Sequence, residues 1–352
     1  MEWTLHMVSE NDPDYKQQNR RIACVIVAYN NVSNIGKLLE VLLNQSEPIA
    51  EIILVDNASS DGTAQMVKQT FPQVTLFANS SNTGVGGGYA QGMEYAYKKG
   101  YNWIWLLDGD SLPKVSALEQ LMTALVNLMP VHPKIGILAS SPTNPSTGQI
   151  YGGFIRKGLF HKIPKEITHF RKPVPVDTVV SSGCLVSDKV VKDVGLPRTD
   201  FFMDFVDAEY NLRVLRKGYE IISVPNSIIY HHVGHARIIT SRIIKSAIRF
   251  CFTSENVLSS HPPWREYYAK RNELYTFWHE FRSYRAIFRL MLATSVTILE
   301  IVIYNDKQKV QGIKYIFQGL IDGFKGKIGK TVIPPNEQNQ NNTCNLKRSE
   351  II

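Results

Sequence analysis

Four short apolar runs, each followed by polar residues, limit what this chain can fold into. They occupy 22–28 (I-A-C-V-I-V-A), 51–55, 74–77 and 103–107, and three of them are almost continuously apolar. A run with no polar alternation is a strand buried on both faces. Between the runs, apolar residues return at helical spacing. Ile35, Leu38, Leu39 and Leu42 mark one face of a helix over 33–44, with Ser33 as its cap. Ser60 or Asp61 caps the next helix, and 87–99 reads as another. Strand and helix in strict alternation predict a mostly parallel sheet with helices on both faces, because parallel neighbours need a crossover that packs back on the sheet. Ligands of such sheets gather beyond the carboxyl ends of the strands. Tyr29, Asn30, Asp56, Asn79, Asn82, Asp108 and Asp110 all fall there.

At 352 residues, 44% of them hydrophobic, the chain has material for one large α/β domain and an appendage. Beyond the fourth run the pattern predicts a helix from Pro113 to Leu128, a strand over 135–138 and a Pro-, Gly- and Thr-rich excursion over 140–175 that carries a hairpin. The segment 176–186 returns the chain. Helices follow over 188–194 and 204–217, the second ended by Gly218, and the last strands lie over 221–224 and 228–230. From Ile238 the pattern turns helical. From Arg237 onward eighteen Lys and Arg stand against nine Asp and Glu, which accounts for the whole net charge of +8. Four segments result: an N-terminal extension over 1–20, the α/β domain over 21–236, a basic helical region over 237–330 and a polar, disordered tail over 331–352.

A basic C-terminal region suggests an anionic partner surface, phospholipid or nucleic acid, with a solvated helix face as the plainer account. The cytoplasmic leaflet of a membrane fits, with packing on the core or a homo-oligomer as the alternatives for the stripe Ile313, Ile316, Phe317, Leu320, Ile321 and Phe324. Nucleic acid does not fit, since no recognised nucleic-acid module surrounds the basic residues. The cysteines Cys24, Cys184, Cys251 and Cys344 lack metal-ligand spacing and no signal peptide precedes them, so the expected compartment is cytoplasmic, with peripheral contact at the inner face of the membrane. No transmembrane helix is expected, because Arg289 and Glu300 interrupt the apolar run over 286–304.

Two acidic stretches carry the chemistry. In I-W-L-L-D-G-D, Asp108 and Asp110 bracket Gly109 at a strand end, where two carboxylates can hold one hard cation and leave positions for phosphate oxygens. In F-F-M-D-F-V-D-A-E-Y-N-L-R, Asp204 and Asp207 share a helix face, and repulsion between carboxylates suits one of them to act as a base. Favourable acidic charge at a helix N-terminus is the plainer account, and Glu209 can simply pair with Arg213 one turn on. His231 and His232 follow a strand and offer imidazole to a divalent ion. Asp56 can accept from a ribose hydroxyl or a base N–H, or merely cap its turn. The glycines of N-S-S-N-T-G-V-G-G-G-Y permit close backbone approach to a phosphate or sugar, yet their spacing and their place after the third strand argue against a dinucleotide fingerprint.

The ordered strings C-V-I-V-A-Y-N, V-D-N-A-S-S-D-G-T, N-T-G-V-G-G-G-Y, L-L-D-G-D, F-F-M-D-F-V-D-A-E-Y-N-L-R and I-I-Y-H-H resemble the inverting family 2 glycosyltransferases of the GT-A fold, over roughly 21–235. Within that family the chain is similar to bacterial rhamnosyltransferases and galactofuranosyltransferases, and the motifs do not separate the two. The resemblance implies a Rossmann-like, mostly parallel central sheet flanked by helices, with a C-terminal helical extension. It implies transfer of a sugar from a UDP- or dTDP-linked donor to a glycan or polyprenyl-linked acceptor, in cell-surface polysaccharide biosynthesis. Ala28, Tyr29, Asn30, Asp56, Asn82, Gly84, Asp108 and Asp110 would bind the nucleotide-sugar. Asp108, Asp110 and His231 would hold Mn²⁺ or Mg²⁺, Asp207 would be the base, and Glu209 with Asp204 would orient the acceptor or the base. Ser111 stands where the family often has a third acid. The alternatives are an inactive glycan-binding or scaffold protein and a nucleotidyltransferase; against the latter, A-Y-N-N-V-S-N lacks the expected basic glycine-rich loop.

Overall fold

A computed structural model describes residues 21–333 apart from 146–147, 149, 151–152, 158–159, 163, 232–234, 239–256, 261 and 305–308. The expected extension over 1–20, most of the expected tail and His232 lie outside the described residues. The first half alternates as the sequence predicts: β1 (Ile22–Ala28), α1 (Val32–Leu43), β2 (Glu51–Asp56), α2 (Thr63–Thr70), β3 (Thr75–Ala78), α3 (Gly84–Lys98) and β4 (Trp103–Asp108). Then come β5 (Leu112–Pro113), α4 (Ala117–Leu128), β6 (Ile135–Thr143), the hairpin β7 (Ile155–Lys157) and β8 (Phe160–Lys162), β9 (Val174–Pro175), β10 (Cys184–Ser187), α5 (Asp188–Val194), α6 (Val206–Arg216) and β11 (Glu220–Tyr230).

Nine strands form the central sheet, in the order β3-β2-β1-β4-β10-β6-β11-β5 with β9 also on β11. β1, β2, β3 and β4 are parallel neighbours, and β6 pairs parallel with β11. Antiparallel β10 sits between β4 and β6 and brings the turn before it to the carboxyl end of β4. Side chains alternate across the sheet. Ile22, Cys24 and Ile26 of β1 pack with Leu38 and Leu39 of α1 and Leu121 of α4, while Ala23, Val25 and Val27 pack with Tyr89 and Met93 of α3 and Val214 of α6. Both faces of β1 are therefore core, which is why its sequence lacks alternation.

Three local expectations change. α6 starts at Val206 rather than 204, because Asp204 and Phe205 take left-handed backbone with φ of 56° and 63°. Asp204 thus shares no helix face with Asp207. The two short last strands are one long β11 with irregular register between Ser223 and Ile228. Part of the expected basic helical region is strand: β12 (His235–Ile238) pairs antiparallel with β13 (Val257–Ser260), and 239–256 lie outside the described residues.

The helical layer follows: α7 (Pro263–Tyr275), continued by a π-helical turn over Thr276–Glu280, then α8 (Tyr284–Tyr304) and α9 (Lys309–Phe324). Phe202, Tyr267, Tyr268 and Val332 form a separate small core that joins this layer to the α/β domain. Contrary to expectation, Tyr284–Ile303 is a 20-residue segment of mean hydropathy 2.0, long and apolar enough by length and composition to cross a membrane, and 18% of it is buried. Arg289 and Glu300 do not break the helix, since charged residues interrupt hydropathy but not backbone hydrogen bonding. The observed class is the expected one: α/β with a mostly parallel central sheet between helices, plus C-terminal helices.

Candidate active site

The carboxyl ends of β1, β2 and β4 form one rim. The chain leaves β1 through Asn30 in left-handed backbone, φ 54°. Its N–H donates to Ser59 Oγ at 2.8 Å, and its side-chain oxygen accepts from Ser60 N–H at 2.9 Å. Ser59 in turn donates its hydroxyl and, at 3.1 Å, its N–H to the Asp56 carboxylate. Asp56 is 2% exposed and accepts from its own turn. Ala28 is buried, and its carbonyl accepts from Asn57 N–H at 2.8 Å. Gly109 must be glycine: a Cβ there would stand 2.7 Å from Asn31 Oδ1 and 3.2 Å from the Ala28 Cα.

Asn82 and Gly84 open α3. Asn82 Oδ1 accepts from Gly84 N–H at 2.8 Å. Gly84 has φ of 76°, and a Cβ on it would lie 1.9 Å from the Phe202 carbonyl oxygen. The same oxygen accepts from Val85 N–H at 3.0 Å. The glycine-rich stretch is therefore shaped by close approach to the 202–205 loop, which leads to the second acidic stretch.

Asp108, Asp110 and His231 converge. One ligand atom from each lies within 4.8 Å of the other two, with Asp110 exposed and the others half-buried. Two carboxylates and an imidazole at this spacing fit a divalent cation of the Mn²⁺ or Mg²⁺ type after a small closure. Neighbours hold each ligand. The Tyr89 hydroxyl donates to Asp108 Oδ1 at 2.7 Å, and Asp108 N–H donates to Ser182 Oγ at 3.0 Å. Ser111, 1% exposed, shares hydrogen bonds with Ser182 Oγ at 2.7 Å and His231 Nδ1 at 2.9 Å. Where the resemblance leads one to expect a third acid, a buried hydroxyl orients the histidine. Burial pushes the Asp108 carboxyl up, His231 opposes this and Asp110 adds to it. A cation between them would relieve that repulsion.

Asp207 sits in the first turn of α6. Its Oδ1 accepts from the N–H of Ala208 at 2.8 Å. Burial raises its pKa to about 6, the Ala208 N–H works against that, and the charges of Asp204 and Asp108 add to it. Asp207 is thus within electrostatic reach of Asp108 of the cation-ligand cluster. The nearby Cys184 thiol is pushed up first by burial, then by Asp207 and Asp108.

Glu209 and Asp204 are each held by an arginine. Glu209 is fully buried and grips Arg213 at 2.5 and 3.0 Å, and Arg213 donates to the carbonyls of Val194 and Leu196 at 2.8 and 3.0 Å. Its visible work is to lock the turn after α5. Asp204 is held by both arms of Arg265, at 3.1 and 2.5 Å. Tyr89, Ser111, Ser182 and Arg265 were not singled out as site residues. Tyr89 ends the glycine-rich string and Ser111 follows the acidic pair, so both lay beside a signal. Ser182 and Arg265 carry none; only the folded chain places them.

Residues 23–195 match the family model described as Glycosyl transferase family 2. The dTDP-rhamnosyl transferase RfbF of Shigella flexneri is 24% identical over 316 residues, 88% of this chain and 98% of its own length. Galactofuranosyltransferase GlfT1 of Mycolicibacterium smegmatis is 23% identical over 203 residues, 56% of this chain and 66% of its own. An N-acetylglucosaminyl-diphospho-decaprenol L-rhamnosyltransferase of Mycobacterium tuberculosis is 26% identical over 236 residues, 60% of this chain and 76% of its own.

Proposed function

We propose that this chain, whose residues 23–195 match the family 2 glycosyltransferase model, moves rhamnose or galactofuranose from a dTDP- or UDP-linked donor to a glycan or polyprenyl-linked acceptor in cell-surface polysaccharide synthesis. It works in the cytoplasm, at the inner face of the membrane. Both sugars agree with the names of the relatives, and the first relative spans nearly the whole chain. The observation that carries the reading is the pairing of three side chains that can hold a cation with a separate carboxylate whose pKa burial raises to about 6.

The nucleotide lies across Tyr29, Asn30 and Asp56, and the diphosphate reaches Asp108 and Asp110. Asp108, Asp110 and His231 would hold a divalent cation, Mn²⁺ or Mg²⁺, which would supply neutralisation of charge on the diphosphate. Asp207 accepts the proton of the acceptor hydroxyl as that oxygen forms its bond to the anomeric carbon. The bond from that carbon to the diphosphate oxygen breaks, and its electron pair leaves with the nucleoside diphosphate. One displacement inverts the anomeric centre. Arg265 keeps the charge of Asp204 occupied beside the base.

The test is a panel of UDP- and dTDP-sugars, with and without chelator, scored for diphosphate release and sugar transfer. Release from one donor class, lost with chelator and restored by Mn²⁺ or Mg²⁺, is the expected result. Binding of nucleotide with no turnover on any donor would turn the reading toward a non-catalytic glycan-binding protein. Release that survives complete removal of divalent ions would sink the cation assignment alone.

A further inference from the structure

α9 presents an unusual pair of faces. The side turned to the protein carries Gly312, Ile316, Gly319, Asp322 and Gly323. A Cβ on Gly319 would lie 2.4 Å from the Tyr267 carbonyl oxygen, and one on Gly323 2.5 Å from that of Arg271. The backbones of α9 and α7 therefore touch, and no large side chain fits between them. The bulky apolar residues are left on the other side: Phe317, Ile321 and Phe324 are 52%, 52% and 53% exposed. α8 does the same with Tyr284 and Phe288, 77% and 57% exposed. Trp278 of the π-helical turn joins the two stripes, its ring 4.7 Å from Phe324 and 6.4 Å from Tyr284. Scattered apolar residues on a surface need no explanation, but a joined aromatic and aliphatic face marks a contact.

Charge says what kind of contact. Among the residues from 276 to 333 whose exposure is described, every exposed charged side chain is basic, with Arg282, Arg285, Lys314, Lys325 and Lys327 near these stripes in sequence. Glu280 and Asp322, the acids of this stretch whose burial is described, are not exposed. Glu280 pairs with Arg198, and Asp322 accepts from the Tyr267 hydroxyl at 2.7 Å. A second copy of the chain would bring one basic rim against another, which repels.

We propose that the outward face of α8, the π-helical turn and α9 is a docking surface for an anionic phospholipid leaflet, entered by the aromatic and aliphatic side chains and steered by the basic rim. The helices lie in the interface and do not cross it. Arg289 of α8 holds Glu273 of α7 at 3.2 Å, and Ala286, Leu290 and Thr294 are buried against protein, so a crossing would have to break that packing. The purpose of docking rests on the lipid-linked acceptor reading, but the surface itself can be tested without donor or acceptor.

Co-flotation of the full chain with vesicles of mixed phosphatidylcholine and phosphatidylglycerol, against pure phosphatidylcholine, reads it directly. The wild type should float with the mixed vesicles, weakly with the neutral ones, and come off in alkaline carbonate. F317E/I321E should lose binding by roughly tenfold or more, while keeping its melting temperature and its diphosphate release with a water-soluble acceptor. R285E/K325E provides a second variant that disturbs no packing, with a loss of similar size. Equal flotation of wild type and both variants overturns the proposal. So does carbonate-resistant binding, and so does a wild-type dimer that F317E/I321E turns into monomers. Unchanged diphosphate release beside lost flotation keeps the transferase reading separate from this one.

Discussion

Asp207 shows how a single site residue trades stability for chemistry. Its pKa in the folded chain is raised to about 6, against about 3.9 for a free aspartate. The folded form therefore holds its proton more tightly than the unfolded chain does. Between those two values stability falls as pH rises, and above pH 6 the full penalty of a charged, enclosed carboxylate is present. D207N removes that penalty. At pH 8 it should unfold at higher temperature than the wild type, by at most about 2–3 kcal/mol, and the difference should shrink as pH falls toward 5. The same variant should lose transfer by roughly 10³-fold while still binding nucleotide. In the wild type, turnover should fall as pH drops through about 6. Thermal melts at two pH values, with a pH–rate profile, check both halves; near-normal turnover by D207N would remove the base assignment. Ser111 makes a second prediction at this scale. Its hydroxyl is 2.9 Å from His231 Nδ1. S111A should weaken activation by Mn²⁺ roughly 10–100-fold, since partners behind a ligand cost about that much when lost. A titration of diphosphate release against Mn²⁺ measures it.

Among the elements, α7 has a reach that its position in the chain does not suggest. It lies beyond the family-matched segment, yet Asn272 donates to the carbonyls of Met203 and Asp204, at 2.9 Å each. Arg265 holds the Asp204 side chain. The loop so gripped contains two successive non-glycine residues with positive φ, Asp204 and Phe205, a conformation that costs about 1–2 kcal/mol per residue. A strained loop directly before the base needs an outside hold. R265Q should therefore lower kcat by roughly tenfold with little change in the donor KM, because it leaves the Asp204 charge unpaired beside Asp207. R265K should recover part of the loss, and R265Q/D204N should recover more than R265Q alone. A folded R265Q enzyme with unchanged kcat would show that the ion pair only docks the helix. Gly323 sets the other limit of this packing. G323L should lower the melting temperature sharply, since its side chain has no space against the Arg271 carbonyl.

At the scale of the whole molecule, the sequence was most legible where one physical term dominates. Continuous apolar runs such as 22–28 leave burial no alternative, so β1 to β4 and the rim residues behind them could be read directly. Asp108, Asp110 and His231 lie in one cluster, as the resemblance implies, because they follow the carboxyl ends of β4 and β11. Legibility failed where long-range contact overrides local pattern. Asp204 fits a helix start, but Arg265 and Asn272 hold it outside one. The stripe of α9 looks like a face for burial, but Gly319 and Gly323 take that side instead. Such contacts also bind the two parts of the molecule into one unit. Gly329 N–H donates to the Asp200 carbonyl at 2.9 Å, Lys330 lies over the Phe202 ring at 4.8 Å, and the Tyr268 hydroxyl donates to the Val332 carbonyl at 2.6 Å. The helical layer thus contributes to the loop that the glycines of α3 grip from the other side. Neither part should unfold alone. Calorimetry of the full chain should give one transition, with calorimetric and van't Hoff enthalpies in agreement. UDP or dTDP with Mn²⁺ at about a hundred times its Kd should shift that whole transition upward by about 2.7 kcal/mol, and chelator should reverse the shift. Two separate transitions, only one of which moves with nucleotide, would mean that the helical layer is a passenger on the transferase domain and that its grip on Asp204 does not persist in solution.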